Sequence, residues 1–252
     1  MRPIHRRFSA GPLLALALVA PAHAAQGVNL SWSRCHGEAG GTQNRAFACD
    51  TNTGAEHLVA SFVLPTDLPL TSGNEVIVDL VSAADPLPQW WEFYNIGTCR
   101  MNSLSLNLVP DPSDVVCQEW QQGASVGGIG AYQSTGGVFP GLDSRHRRMK
   151  IALAVPPYAL ADLVANTEYF SCDIVINHLK TVGTGACGGC SGSVCLVLTS
   201  INVTTPVLAN NVLLGGGTTP GSDMAHWQGT NADCRVVPVL NRSWGQVKAL
   251  YK

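Results

Sequence analysis

Cysteine carries the most chemistry in this chain. Nine follow residue 24: Cys35, Cys49, Cys99, Cys117, Cys172, Cys187, Cys190, Cys195 and Cys234. The densest run is Cys187-Gly-Gly-Cys190-Ser-Gly-Ser-Val-Cys195. Thiols so spaced suit disulfides, a metal site or redox exchange. Zinc needs four ligands, usually as two separated pairs. Only one C-x-x-C is present, and Cys172 or His178 would have to complete the set. A thioredoxin-like motif needs a strand and then a helix starting at C-x-x-C. The small residues around Cys190 argue against a helix there. Gly188-Gly-Cys190-Ser-Gly192 formally matches a cysteine nucleophile elbow, but neither flank reads as a buried parallel strand or a helix.

Compartment favours disulfides. Arg2, Arg6 and Arg7 precede an apolar run from Leu13 to Ala20, and Ala22-His23-Ala24 follows as a cleavage site. Residues 1–24 therefore read as a secretory signal peptide. The run is too short to span a bilayer, and no later segment reads as transmembrane. An exported chain keeps its thiols oxidised. Local pairs are the simplest expectation, Cys35 with Cys49 and Cys99 with Cys117. The odd count leaves one thiol free, joins two chains in a disulfide-linked dimer, or leaves several thiols to bind metal.

Calcium is the better metal candidate. Asp50-Thr-Asn52-Thr-Gly54 offers oxygens at alternate positions, and Glu56 could add another. Ser61 stands where an EF-hand would place its closing Glu, and the same residues also suit an ordinary turn before a strand. Asp111 and Asp114 form a weaker candidate. His36, His57, His146, His178 and His226 show no ligand spacing. H-E-x-x-H, P-loop and dinucleotide fingerprints do not occur.

Trp90, Trp91 and Tyr94, with Phe93, make the densest aromatic patch. Such plates stack on sugar rings in binding modules. Adjacent residues on a strand face opposite ways, so one Trp could be buried and the other free. Ser144-Arg-His-Arg-Arg148 is the one basic run and reads as a solvated turn protecting a sheet edge. Without the signal's arginines, 12 basic residues face 17 acidic ones, a net charge of −5. That balance excludes nucleic acid as the expected partner.

The elements that must position these residues are mostly strands. Val28 to Trp32, Leu58 to Leu64, Glu75 to Val81, Ser103 to Leu108, Met149 to Val155, Glu168 to Leu179 and Cys195 to Thr204 read as strands between Gly, Pro, Asn and Asp clusters. The fold class expected is all-β: an antiparallel β-sandwich, Ig-like or jelly-roll-like, stapled by disulfides. Tyr169 three residues before Cys172 resembles a tyrosine corner, whose usual spacing is two. A short helix is expected from Pro157 to before Asn166. Ser243-Trp-Gly-Gln246 opens a second, C-terminal one with Trp244, Val247, Leu250 and Tyr251 on one face. Residues 25–206 would form the sandwich and 207–252 a Gly-rich loop and tail packed on it.

Phe47-Ala-Cys49-Asp-Thr-Asn52, Trp90-Trp91, the Cys187 to Cys195 cluster and the closing Trp244-Gly-Gln-Val-Lys-Ala-Leu-Tyr251 together resemble a group of uncharacterised secreted bacterial proteins. The resemblance implies secretion and brings no known activity. The function expected is a secreted, non-catalytic binding or structural module of the envelope or extracellular space, without a cofactor unless calcium. Its partner would be a polysaccharide or another envelope protein. The alternatives are a carbohydrate- or calcium-binding surface module and a cysteine-dependent hydrolase or redox enzyme using the Cys187–Cys195 loop.

Overall fold

A computed structural model describes residues 26–93, 98–110, 117–133, 144–216 and 221–234. The expected signal peptide, Tyr94, Asp111, Asp114 and the C-terminal helix lie outside them. The strands are β1 (Gly27–Trp32), β2 (Asn44–Arg45), β3 (Ala55–Val63), β4 (Leu68–Thr71), β5 (Gly73–Ser82), β6 (Leu104–Asn107), β7 (Val126–Gln133), β8 (His146–Ala154), β9 (Ala161–Leu163), β10 (Glu168–Asn177), β11 (Val194–Thr204), β12 (Val212–Gly215) and β13 (Met224–Trp227). One sheet runs β1-β3-β10-β6. A seven-stranded sheet runs β2-β13-β11-β5-β8-β7, with β12 also on β11. β4 and β9 pair apart from both. Strand pairing is antiparallel except between β13 and β2.

Alternation explains the core. Val28, Leu30 and Trp32 on β1 and Leu58, Ala60 and Phe62 on β3 are buried with no exposed area. They share one hydrophobic cluster with Val76, Val78 and Leu80 of β5 and with Met149, Ile151 and Leu153 of β8. A period of two puts such sets on one face of each sheet.

Two bulges adjust that parity. Phe170 pairs with Ser61 and Cys172 with Ala60, so Ser171 is the extra residue. Tyr169 and Cys172 both join the core cluster as a result. The bulge accounts for the three-residue spacing, because an inserted residue shifts the pleat. The Tyr169 hydroxyl meets the backbone N–H of Val164, which donates to it at 2.7 Å. In β11 the extra residue is Thr199. Its hydroxyl donates to Asp79 at 2.8 Å, and Asp79 also takes both arms of Arg148 at 2.7 Å.

Three expectations are corrected. Pro157–Ala159 is a single 3-10 turn, and the chain then extends into β9. Leu160 is extended at φ −61° and ψ 136°, and β4 supplies the pairing that a helix would forfeit. The segment after residue 206 is not only loop and tail: β12 and β13 join the large sheet. The basic run is not a solvated turn. His146, Arg147 and Arg148 open β8, and Arg147 is fully buried because it alternates onto the face of Met149 and Ile151.

No helix among the described residues is long and apolar enough to cross a membrane. The described cysteines form four disulfides within the chain, Cys35–Cys117, Cys49–Cys190, Cys99–Cys187 and Cys195–Cys234. The local pairs expected from sequence are both wrong. Sheet order brings distant segments together, and each thiol pairs with the partner that the sheets place beside it. Cys172 is the free thiol, buried in the core. Burial pushes its pKa up to about 12, so it is a poor nucleophile or ligand.

Candidate functional site

Strand registers define one end of the molecule. Val194 sits between Ser82 and Trp227 in the large sheet, and Asn177 opposite Ala55 ends the other. The loops leaving these residues meet there. Cys49–Cys190 and Cys99–Cys187 tie three of them, across separations of 141 and 88 residues. The Trp90 N–H donates to the Gly188 carbonyl at 2.9 Å. Gly189 makes this approach feasible: φ is +100°, and a Cβ would lie 2.1 Å from the Pro88 side chain.

The Trp pair lies under these loops. Gln89–Trp91 is a 3-10 turn, and Trp90 and Trp91 are both fully buried. Neither presents a face to a sugar, which corrects the strand-based expectation. Their rings meet edge-on at 4.8 Å. Trp227 joins them, 5.2 Å from Trp90 and 5.4 Å from Trp91, with its indole N–H donating to the Cys190 carbonyl at 2.7 Å.

A cleft of about 500 Å³ opens beside this core. Arg100 and Lys180 line it with Asn102, Ser103, Met101 and Leu179. Sequence reasoning missed Arg100, which is 1% exposed. Its guanidinium carbon stands 3.7 Å over the Trp90 ring, and it donates to the carbonyls of Leu179 at 2.9 Å and Asn177 at 2.5 Å. Burial holds its pKa down at about 9. Arg147 is buried nearby and donates to the Phe93 carbonyl. Its pKa is lowered to about 10, chiefly by burial and partly offset by Glu92. The only sequence signal for Arg147 was its alternation with Met149 and Ile151; for Arg100 there was none.

The calcium candidates point to different tasks. Asp50 is exposed. The Asn52 side-chain oxygen Oδ1 accepts the N–H groups of Thr181 and Val182 at 2.7 and 2.9 Å, clamping two loops. Glu56 is buried, paired with Arg45 and 3.1 Å from His178 Nε2. The turn between them is fastened by the Thr53 N–H donating to Thr51 Oγ1 at 3.1 Å. The dense cysteine run is oxidised throughout, so Cys190 is no elbow nucleophile and Cys187 no zinc ligand. Cys195, His226 and Cys234 do lie together, but the two sulfurs are bonded to each other.

A second, polar cleft of about 430 Å³ includes Ser31, His36, Glu38 and Thr42. Beside it Glu168 accepts from the Ser61 hydroxyl at 2.5 Å. Burial raises the Glu168 pKa from 4.5 to about 7; the Ser61 hydroxyl opposes this and the Glu38 charge adds to it. The folded state therefore holds a proton that the unfolded chain releases near 4.5. Stability falls as pH rises from about 4.5 to 7, and the loss persists above. Glu168→Gln is expected to stabilise the protein at pH 8 by on the order of 2 kcal/mol and to change little at pH 4. Urea unfolding at both values checks this, and an equal effect at both would refute it.

Comparison of the chain with protein-family models, curated proteins and solved structures gives no match.

Proposed function

We propose that this chain is a secreted, non-catalytic binding module that takes its ligand at the disulfide-tied loop end. Its architecture is a disulfide-stapled antiparallel β-sandwich. Support for the sandwich is that both sheets feed one hydrophobic cluster, and that Tyr169 bonds back to the chain five residues upstream, as a tyrosine corner does. Four disulfides suit an oxidising compartment, as the signal-like first 24 residues do.

The observation that carries the binding reading is the pair of long-range disulfides that pin three loops around the 500 Å³ cleft. Pinned loops lose little entropy on binding, which favours recognition. The same disulfides speak against a cysteine enzyme, because they leave the loop without a thiolate. A panel of neutral and acidic envelope polysaccharides tests the reading. Saturable binding without release of reducing ends is expected. Reducing ends would mean an enzyme, and a panel with no binder would remove the polysaccharide partner.

A further inference from the structure

Charge at the cleft is one-sided. Arg100 and Lys180 line it, and no Asp or Glu is among its described lining residues. The whole chain is acidic, at net −2. A cleft of the opposite sign is therefore a local arrangement and not a reflection of composition.

Among the described residues neither cation has a carboxylate partner. The Arg100 guanidinium is held by two carbonyl oxygens and by the Trp90 and Phe93 rings, and its Nε has no hydrogen-bond partner among the described residues. The Lys180 ammonium is exposed and donates to the Cys99 carbonyl at 2.7 Å. Taking a guanidinium out of water is costly, and neutral dipoles with a ring face only partly offset it. An anion in the cleft would supply the missing countercharge. The field there acts through a dielectric well below that of water, which strengthens the attraction.

The remaining lining limits what carries that anion. Asn102 and Ser103 are polar, while Met101 and Leu179 are 39% and 50% exposed apolar side chains at the same cleft. Hydroxyl-rich rings with apolar faces suit such a mixture.

We propose that the cleft binds a carboxylate-bearing sugar, with Lys180 as the direct contact and buried Arg100 as the fixed positive charge behind it. The inference rests on the binding reading and names the ligand class for that site. Lys180 reaches the carboxylate by exchanging its bond to the Cys99 carbonyl. Arg100 keeps both carbonyl bonds and acts through its field. Uronate within a polysaccharide and free uronic acid share this chemistry.

Calorimetry on the disulfide-intact chain tests it with three probes: trigalacturonate, its carboxyl-reduced neutral counterpart and free glucuronate. Trigalacturonate is expected to bind and the reduced trisaccharide to bind at least about tenfold more weakly. Lys180→Glu, a surface change, is expected to weaken trigalacturonate about tenfold and to leave thermal unfolding unchanged. Glucuronate binding as tightly as the trisaccharide would mark a free acid as the ligand; much weaker glucuronate binding would mark the polymer. Equal binding of the acidic and reduced trisaccharides overturns this inference and leaves the binding reading intact. So does silence from all three beside another ligand in the polysaccharide panel. Silence from all three and an empty panel removes both.

Discussion

Trp227→Ala is expected to destabilise the protein by about 3–5 kcal/mol, the usual range for deleting a buried indole. Trp227 is the hub of the aromatic core. Its ring lies 5.9 Å from Trp32, 5.8 Å from Phe47, 5.2 Å from Trp90 and 5.4 Å from Trp91. All four tryptophans are fully buried. Truncation removes the contacts of each neighbour at once and leaves the Cys190 carbonyl without its 2.7 Å donor. A packed core cannot collapse onto a void of that size without moving both sheets. Urea unfolding followed by circular dichroism measures the loss. Leu213→Ala is the control: that side chain is 71% exposed, and its loss should stay within about 0.5 kcal/mol. Equal costs for the two variants would mean that the aromatic centre is misplaced.

Cys49→Ala with Cys190→Ala is expected to cost about 3–5 kcal/mol and to lower Tm by roughly 10 °C. The closure spans 141 residues, so its loss frees a long loop in the unfolded chain. Cys195–Cys234 spans only 39. Chain entropy grows with the logarithm of loop length, and removing the shorter closure should cost about 1 kcal/mol less. The first variant should also lose ligand binding, because Cys49–Cys190 fastens two of the cleft-end loops. Thermal scans of both variants give the ranking. A smaller effect from the 141-residue closure would place the stabilisation elsewhere.

Much of the strand framework was legible. All seven segments with a period-two or apolar pattern became strands, because burying one face of a pleated sheet requires that pattern. β7 was not legible. Gly127, Gly128 and Gly130 hide its alternation, and glycine weakens strands intrinsically. Its pairing with β8 is what makes it a strand. A Cβ at Gly127 would lie 2.4 Å from the Ala152 carbonyl oxygen, so close approach demands a glycine there.

The site was less legible, for two reasons. Strand geometry sends adjacent rings to opposite faces, but a 3-10 turn puts those of Trp90 and Trp91 into the same core. Disulfide partners follow from sheet order, and neighbours in sequence are a poor guide to neighbours in a sheet. The Arg100 side of the cleft had no signal because its partners are carbonyl oxygens, which any residue supplies.

The disulfide map is the most direct test of the account, because the loop end exists only if those closures do. Non-reducing proteolysis and mass spectrometry of the oxidised protein, with alkylation only after denaturation, reads it. The expected crosslinked peptides join Cys35 to Cys117, Cys49 to Cys190, Cys99 to Cys187 and Cys195 to Cys234, with alkylated Cys172 alone. Peptides joining Cys35 to Cys49 or Cys99 to Cys117, or a crosslinked Cys172, would contradict the loop arrangement and the cleft built on it.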